Sequence, residues 1–259
     1  MPHFSYGDHR LFYREQGEGP LVIILPGNTA SSAAHAGELK HFGQRYHAVS
    51  LDLPGTGRSD RLEEWPDDWW MQGARAAGGL MDHLSVDRAV LMGSSGGAVI
   101  ALRLALESPD RVRGVIADSC VMRQPPEVLR REVARRRERS PETTAFWRHA
   151  HGQDWEEVVE ADSALLLRLA EHGGGWFEAE LSEIGCPVLL TGGLRDTVLH
   201  EAPAQMLEMA GQIPRSELIL LGQGDHPVMW TRPGRFRDAA DSFLAYLDDE
   251  EGLMDRAAP

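Results

Sequence analysis

Short apolar runs alternate with longer amphipathic segments along most of this chain. The runs at 21–25, 88–93 and 112–118 have strand length and are mostly apolar, as expected for strands buried on both faces. Their alternation with segments of helical spacing predicts a parallel sheet with crossover helices, an α/β fold. The predicted strands are 21–25, 46–53, 88–93, 112–118, 186–191 and 218–221, preceded by a hairpin over 3–16 that turns at Gly7–Asp8, and the predicted core helices are 65–84, 96–107 and 236–247.

Residues 121–182 depart from this pattern, because they contain no strand-like run and are expected to form several helices. The simplest organisation is one α/β core, residues 1–120 and 183–259, with a helical cap or lid inserted after the sixth core strand. Open α/β sheets bind ligands at the carboxyl ends of their strands, where this insertion begins. The basic stretch at 130–139 is expected to be a solvated helix face, with an anion site as the alternative, and the acidic tail from Asp248 is expected to fray.

Charge and composition narrow the class of partner. The chain has 259 residues and a formal net charge of −14, which disfavours nucleic acids and anionic membranes. With no secretory signal and no apolar run long enough to cross a bilayer, we expect a cytoplasmic protein, monomeric or homo-oligomeric. No metal-ligand spacing appears, and neither a metal nor a cofactor is expected. Cys120 and Cys186 fall at opposite edges of the predicted sheet and are expected to be free thiols.

The strongest chemical motif is Gly93-Ser94-Ser95-Gly96-Gly97, which fits G-x-S-x-G centred on Ser95. Five residues alone are weak evidence, but a buried strand enters the motif and a helix leaves it. This strand-to-helix turn is the nucleophile elbow, in which a serine is held at a helix N-terminus. The motif lacks the G-K-[ST] of a phosphate-binding P-loop. Ser95 is therefore predicted to be a catalytic nucleophile.

A serine nucleophile requires a base and an acid that orients it. His226 is the histidine that lies in a loop directly after a core strand, and Asp196 follows the preceding predicted strand. Asp118, at the end of strand 112–118, remains an alternative acid. We expect the oxyanion hole to use the backbone N–H groups of Gly96 and Asn28. Whether the Asn28 side chain adds a donor is left open.

Three tryptophans are candidates for the substrate pocket. Trp147 and Trp176 lie in the insertion, and Trp230 follows His226 by four residues. The alternative for each is ordinary packing between the insertion and the core.

Four motifs in order resemble the α/β-hydrolase superfamily over nearly the whole chain. They are LVIILPGN at 21–28, DLPGTGRSD at 52–60, GSSGG at 93–97, and the pair GLRD at 193–196 and GDH at 224–226. The leucine-proline-glycine sequence is similar to the valacyclovir-hydrolase (biphenyl-hydrolase-like) branch, and enol-lactonases are similar at the same level. In the former branch an acidic residue after the serine holds a substrate amine. Gly96 occupies that position here, which argues against amine recognition.

The identity of the nucleophile restricts the chemistry. Haloalkane dehalogenases and epoxide hydrolases on this fold use aspartate, because attack on an alkyl carbon by serine would leave an ether that water cannot cleave. Ser95 therefore predicts acyl transfer to a small apolar ester, lactone or similar compound. Carbon–carbon bond hydrolysis, cofactor-free perhydrolysis and a catalytically silent binding protein remain alternatives.

Overall fold

A computed structural model describes residues 2–178 and 180–257 and contains one eight-stranded sheet. Its order is β1-β2-β4-β3-β5-β6-β7-β8. The strands are β1 His3–Tyr6, β2 His9–Gln16, β3 Leu21–Leu25, β4 His47–Leu51, β5 Ala89–Ser94, β6 Val112–Asp118, β7 Val188–Gly193 and β8 Ser216–Leu221. The α-helices are α1 Ala36–Phe42, α2 Trp69–His83, α3 Gly96–Glu107, α4 Pro126–Arg137, α5 Pro141–His151, α6 Trp155–Glu171, α7 Ala202–Gln212, α8 Val228–Thr231 and α9 Pro233–Ala257.

The sheet is parallel from β4 to β8 and antiparallel at its β1–β2–β4 edge. Alternate residues of the central strands enter two cores, one on each face. Ile23 and Leu91 pack on the face that α2 and α3 cover, whereas Ile24 and Met92 pack on the α1 and α9 face. The expected α/β fold with a mostly parallel, two-faced sheet is thus confirmed.

Two predicted elements are shorter than expected for identifiable reasons. The helix predicted from residue 65 begins at Trp69, because Trp65 precedes Pro66 and a residue before proline disfavours helical geometry. The Trp65 ring instead stacks on Trp69 at 4.6 Å between centroids. Strand β4 ends at Leu51, two residues early, because Asp52 turns away and accepts hydrogen bonds from the Ser32 and Arg58 backbones, each at 2.7 Å.

The insertion between β6 and β7 contains α4, α5 and α6, followed by a short 3₁₀ helix at Glu180–Glu183. The end of α5 is attached to core loops by several hydrogen bonds. The His151 ring accepts from the Gly57 N–H at 2.9 Å and donates to the Thr29 carbonyl at 3.0 Å, and Ser31 Oγ donates to the Ala150 carbonyl at 2.8 Å. The insertion is therefore anchored beside the loops that follow β3 and β4.

The acidic tail does not fray at Asp248, contrary to the sequence-based expectation. Helix α9 continues to Ala257. Asp248 accepts hydrogen bonds from Tyr46 Oη at 2.8 Å and Arg113 Nη2 at 3.1 Å, and Arg215 binds Glu250. These long-range partners hold the helix at Asp248 and Glu250, in a segment whose composition alone does not favour a helix.

Candidate active site

Ser95 lies in the one-residue turn between β5 and α3. Its backbone has φ 54° and ψ −121°, a conformation that L-residues rarely adopt. Its N–H donates to the Asp118 carbonyl at 2.8 Å, which fixes the turn to the neighbouring strand β6. The geometry matches the predicted elbow, since a positive φ at this point directs the Ser95 side chain away from the sheet and toward the cavity that it lines.

The glycines of the motif make this turn sterically possible. A Cβ on Gly93 would lie 2.2 Å from the Gly97 carbonyl oxygen, so β5 and α3 approach more closely than any side chain permits. A Cβ on Gly96 would lie 1.8 Å from Asn28 Oδ1. The site beside the serine, which an acid occupies in the amine-binding branch, is therefore filled here by the Asn28 side chain.

His226 and Asp196 form a direct hydrogen bond. His226 Nδ1 lies 2.9 Å from Asp196 Oδ2, and both side chains are largely buried. Asp196 Oδ1 accepts from the backbone N–H groups of Val198 and Leu199 at 2.9 and 2.8 Å, so the carboxylate is fixed by its own loop. His226 lines the same cavity as Ser95, with Asp196 behind it. A histidine oriented in this way can accept a proton at Nε2 from a hydroxyl.

Asp118, the alternative acid, has other partners. Its carboxylate accepts from Thr191 Oγ1 at 2.7 Å, from Ser119 Oγ at 3.3 Å and from the Met229 N–H at 2.9 Å. Complete burial raises the pKa of Asp118 to about 6, partly offset by the Met229 and Thr191 hydrogen bonds. The Asp118 carboxylate thus connects β6 to β7 and to α8, the short helix after His226, while the His226 ring bonds Asp196.

Two residues that line the cavity beside Ser95 have backbone N–H groups with no acceptor among the described residues. These donors belong to Asn28 and Gly96. Such a pair can bind a negatively charged oxygen. The Asn28 side chain is committed elsewhere, because Nδ2 donates to Asp162 Oδ2 at 2.8 Å and Oδ1 accepts from Trp70 Nε1 at 3.4 Å.

All three candidate pocket tryptophans line this cavity, whose volume is about 420 Å³. Trp147 is also part of the insertion's own packing, since it stacks on Trp155 at 5.5 Å. The Trp176 ring meets the Trp70 ring edge-on, with 5.7 Å between their centroids. The Trp230 and Phe146 rings also pack together, with 5.7 Å between their centroids. The cavity wall therefore combines aromatic groups from the core and from the insertion.

The basic stretch at 130–139 is mostly exposed, as expected for a solvated helix face, but Arg136 departs from that expectation. Arg135 and Arg136 line the cavity together with Glu132, and the Arg136 side chain is only 8% exposed. Arg136 Nη1 donates to the buried Asp162 at 2.5 Å. Periodicity gives a partial signal, because Leu129, Val133 and Arg136 lie on one face of α4 at helical spacing. The partner on α6 cannot be read from α4 alone.

No three histidine, cysteine, aspartate or glutamate side chains within residues 2–178 and 180–257 are grouped so that they could hold a metal ion. Cys120 and Cys186 are free. Over the same residues, no helix has both the length and the apolar character needed to cross a membrane.

Curated relatives include haloalkane dehalogenase 2 of Mycobacterium tuberculosis (strain ATCC 25618 / H37Rv), which is 34% identical over 116 residues, or 44% of this chain and 39% of that protein. This match spans only about two fifths of the relative's length. (E)-2-((N-methylformamido)methylene)succinate hydrolase of Acinetobacter baylyi is 24% identical over 90% of this chain and 93% of its own.

Solved structures are similar to this protein over nearly the whole chain. Est816, described as an N-acyl homoserine lactone degrading enzyme, has a TM-score of 0.75 and 25% identity, covering 93% of this chain and all of its own. The enol-lactonase of Burkholderia xenovorans LB400 has a TM-score of 0.76 at 19% identity, covering 94% and 100%, which indicates a shared fold. The model of the α/β-hydrolase fold family matches residues 20–172. The chain therefore belongs to the α/β-hydrolase family, as its four sequence motifs predicted.

Proposed function

We propose that this protein is a serine hydrolase that cleaves a small carboxylic ester or lactone through an acyl-enzyme on Ser95. The observation that carries the proposal is the 2.9 Å bond between His226 Nδ1 and Asp196, in a loop that brings His226 to the cavity lined by Ser95. A serine hydroxyl is a weak nucleophile without a base, and an oriented imidazole supplies one.

In the proposed mechanism, His226 Nε2 accepts the Ser95 hydroxyl proton as Oγ attacks the substrate carbonyl carbon. The carbonyl oxygen becomes an oxyanion that accepts from the backbone N–H groups of Asn28 and Gly96. The intermediate collapses, and protonated His226 donates the proton to the leaving alkoxide. Water then attacks the acyl-enzyme with His226 again as base, which releases the acid and regenerates Ser95. Asp196 holds the ring and stabilises its charged form.

The insertion is proposed to act as a lid. Trp147 and Trp176 come from it and Trp230 from the core, and together they supply apolar surface for an acyl group. Est816, which is 25% identical and is described as an N-acyl homoserine lactone degrading enzyme, supports a lactone as one candidate substrate. Dehalogenation is not proposed despite the local likeness to haloalkane dehalogenase 2, because serine rather than aspartate occupies the elbow.

Labelling with a fluorophosphonate probe tests the proposal directly. We expect covalent labelling at Ser95, its loss in Ser95→Ala, and its retention in the matched control Ser94→Ala, which alters the adjacent serine of the same motif. A panel of p-nitrophenyl esters and lactones then separates ester from lactone cleavage. A folded protein that resists labelling and cleaves nothing in the panel would instead be a binding protein on this fold.

A further inference from the structure

The insertion contributes a polar cluster to the cavity, formed by Glu132, Arg135 and Arg136 of α4 and by Asp162 of α6. The three α4 residues line the cavity that contains Ser95. Asp162 is fully buried behind them and forms a salt bridge with Arg136. A buried charged group in a largely apolar pocket carries a large desolvation cost, so its hydrogen bonding indicates what the cluster can bind.

Arg136 has donors left over after its protein partners are counted. Nη1 donates to Asp162 Oδ1 at 2.5 Å and Nε donates to Glu132 Oε1 at 3.1 Å. Nη2 has no hydrogen-bond acceptor among the described residues, yet it is not sealed within the protein. More than nine tenths of the side chain is buried and the residue lines the cavity, so we infer that Nη2 is reached from that cavity.

The two carboxylates that hold Arg136 are themselves occupied. Asp162 Oδ2 accepts from Asn28 Nδ2 at 2.8 Å, and Glu132 accepts from Arg135 Nη2 and Nε at 2.8 and 2.9 Å. Burial raises the pKa of Glu132, but the hydrogen bond from Arg135 and the charge of Arg136 outweigh it and leave that pKa below its usual value. Glu132 is therefore held ionised, and both carboxylates are already engaged in hydrogen bonds, so neither is free to hold a substrate amine.

We propose that the acyl substrate carries one carboxylate, remote from the bond that is cleaved, and that Arg136 binds it through Nη2. This inference rests on the proposed function of Ser95. The guanidinium is planar and fixed by two carboxylates, so it is preorganised to donate to a third. The formal charges of the four side chains sum to zero, and such a neutral cluster suits a single negative charge better than a dianion. Val99, Leu166 and Trp176 line the same cavity and offer apolar surface for the carbon chain of such a substrate.

A matched pair of substrates tests the proposal. Mono-4-nitrophenyl adipate carries a remote carboxylate, and its methyl ester has the same cleaved bond without the charge. We expect the wild-type protein to favour the anionic ester in kcat/KM by about 10- to 100-fold, as expected for a hydrogen bond to a charged group. This ratio should fall to near one in Arg136→Met.

Arg136→Met leaves Asp162 buried without its ion-pair partner, so the double variant Arg136→Met with Asp162→Asn serves where the single variant does not fold. Arg137→Met is the matched control, because Arg137 is exposed on the same helix. It should leave kcat/KM for both esters, and thus their ratio, unchanged. A purely structural role for Arg136 would lower thermal stability in the variants without changing the ratio, and that result would overturn the proposal.

Calorimetry with Ser95→Ala separates failure of this inference from failure of the proposed function. If the wild type cleaves both esters equally, or if the variants keep its preference, the anion site is wrong while the hydrolase proposal stands. If the wild type cleaves neither ester but Ser95→Ala binds the anionic ester at least tenfold more tightly than the neutral one, the anion site stands and the hydrolase proposal fails. Equal binding of both esters would overturn the anion site.

Discussion

The two walls of the cavity differ in how their polar groups are held. At the sheet edge, the Asp196 carboxylate is fixed by N–H groups two and three residues later, and Ser95 is fixed by a one-residue turn. On the insertion wall, Arg136 is held by Asp162 on another helix, and Asp162 in turn binds Asn28, 134 residues away in sequence. The sheet edge thus relies mainly on local geometry, and the insertion on long-range contacts.

This difference matches the two roles proposed for the cavity walls, reaction at the sheet edge and substrate selection in the insertion. The groups proposed to carry out the reaction belong to short loops whose conformation is set by a few neighbouring residues. Those proposed to select the substrate belong to helices whose relative position depends on the whole fold. Changes on the sheet edge should therefore alter turnover most, and changes in the insertion should alter stability or selectivity.

The largest effect is expected from Asp196→Asn, which should lower kcat by about 10⁴-fold, because an amide cannot hold the His226 ring in the required tautomer. Activity against a p-nitrophenyl ester, with thermal unfolding to confirm the fold, measures it. Asp118→Asn is the control: it should retain kcat within about tenfold while losing stability through its buried hydrogen bonds. The opposite pattern would assign the acid to Asp118.

Gly96→Ala should lower kcat by about 10²- to 10³-fold, the usual result of losing one oxyanion donor. The added Cβ would overlap Asn28 Oδ1, so the Asn28 side chain must leave its Asp162 and Trp70 partners, and we expect the adjoining N–H to shift with it. Gly78→Ala is a matched control, because its Cβ would meet only Leu104 at 3.8 Å. Equal turnover in both variants would contradict this coupling between the Asn28 side chain and the proposed oxyanion hole.

The pH dependence of stability tests how His151 attaches the insertion to the core. Burial lowers its pKa to about 4, and Arg61 and Asp154 are the charged groups beside it. In the unfolded chain the histidine pKa is ~6.5, so between pH ~6.5 and ~4 the unfolded chain binds more protons than the folded protein. The contribution of His151 to the free energy of unfolding is therefore fully present above pH ~6.5 and decreases as the pH falls toward ~4. Between pH 7.5 and pH 4.5 the loss should be about 2 kcal/mol.

Urea unfolding at these two pH values should show that loss reduced in His151→Gln. His149→Gln, an exposed change in the same helix, should retain the full wild-type dependence. His35 is also buried with its pKa lowered to about 4, but it contributes equally in all three proteins and cancels in the comparison. A wild-type pH dependence in His151→Gln would mean that other groups determine it.

The smallest effect is expected where the insertion supports the sheet edge. The Gln124 side chain donates to the Val198 carbonyl at 3.2 Å and accepts from the His200 N–H at 2.8 Å, and so holds the loop that carries Asp196. Gln124→Leu should lower kcat about tenfold, as expected for the loss of hydrogen bonds worth about 1.5 kcal/mol, with KM little changed. Gln153→Leu, at an exposed position, is the control. A change confined to KM would place Gln124 in substrate binding.

The sequence predicted the sheet edge well because its signals are local. The apolar run of β5, the small residues around Ser95 and the helix pattern of α3 are all contained in about twenty residues. The same is true of the loops that bear Asp196 and His226, each of which directly follows a strand. The errors fell where distant partners decide, as at Asp248, whose partners Tyr46 and Arg113 are far away in sequence, and at Arg136.

By itself, the sequence determined the fold family, the succession of strands along the chain and the residues that gather at the carboxyl edge of the sheet. Strand and helix periodicity depends on nearby residues, and parallel strands necessarily bring their ends together. Only the tertiary structure decided that His226 bonds Asp196 rather than Asp118, that the Asn28 side chain faces Asp162, and that Arg136 is buried in the cavity wall. The first outcome depends on how two core loops meet. The other two depend on how helices of the insertion pack against the core, because a charged side chain is buried only where the fold supplies its partner.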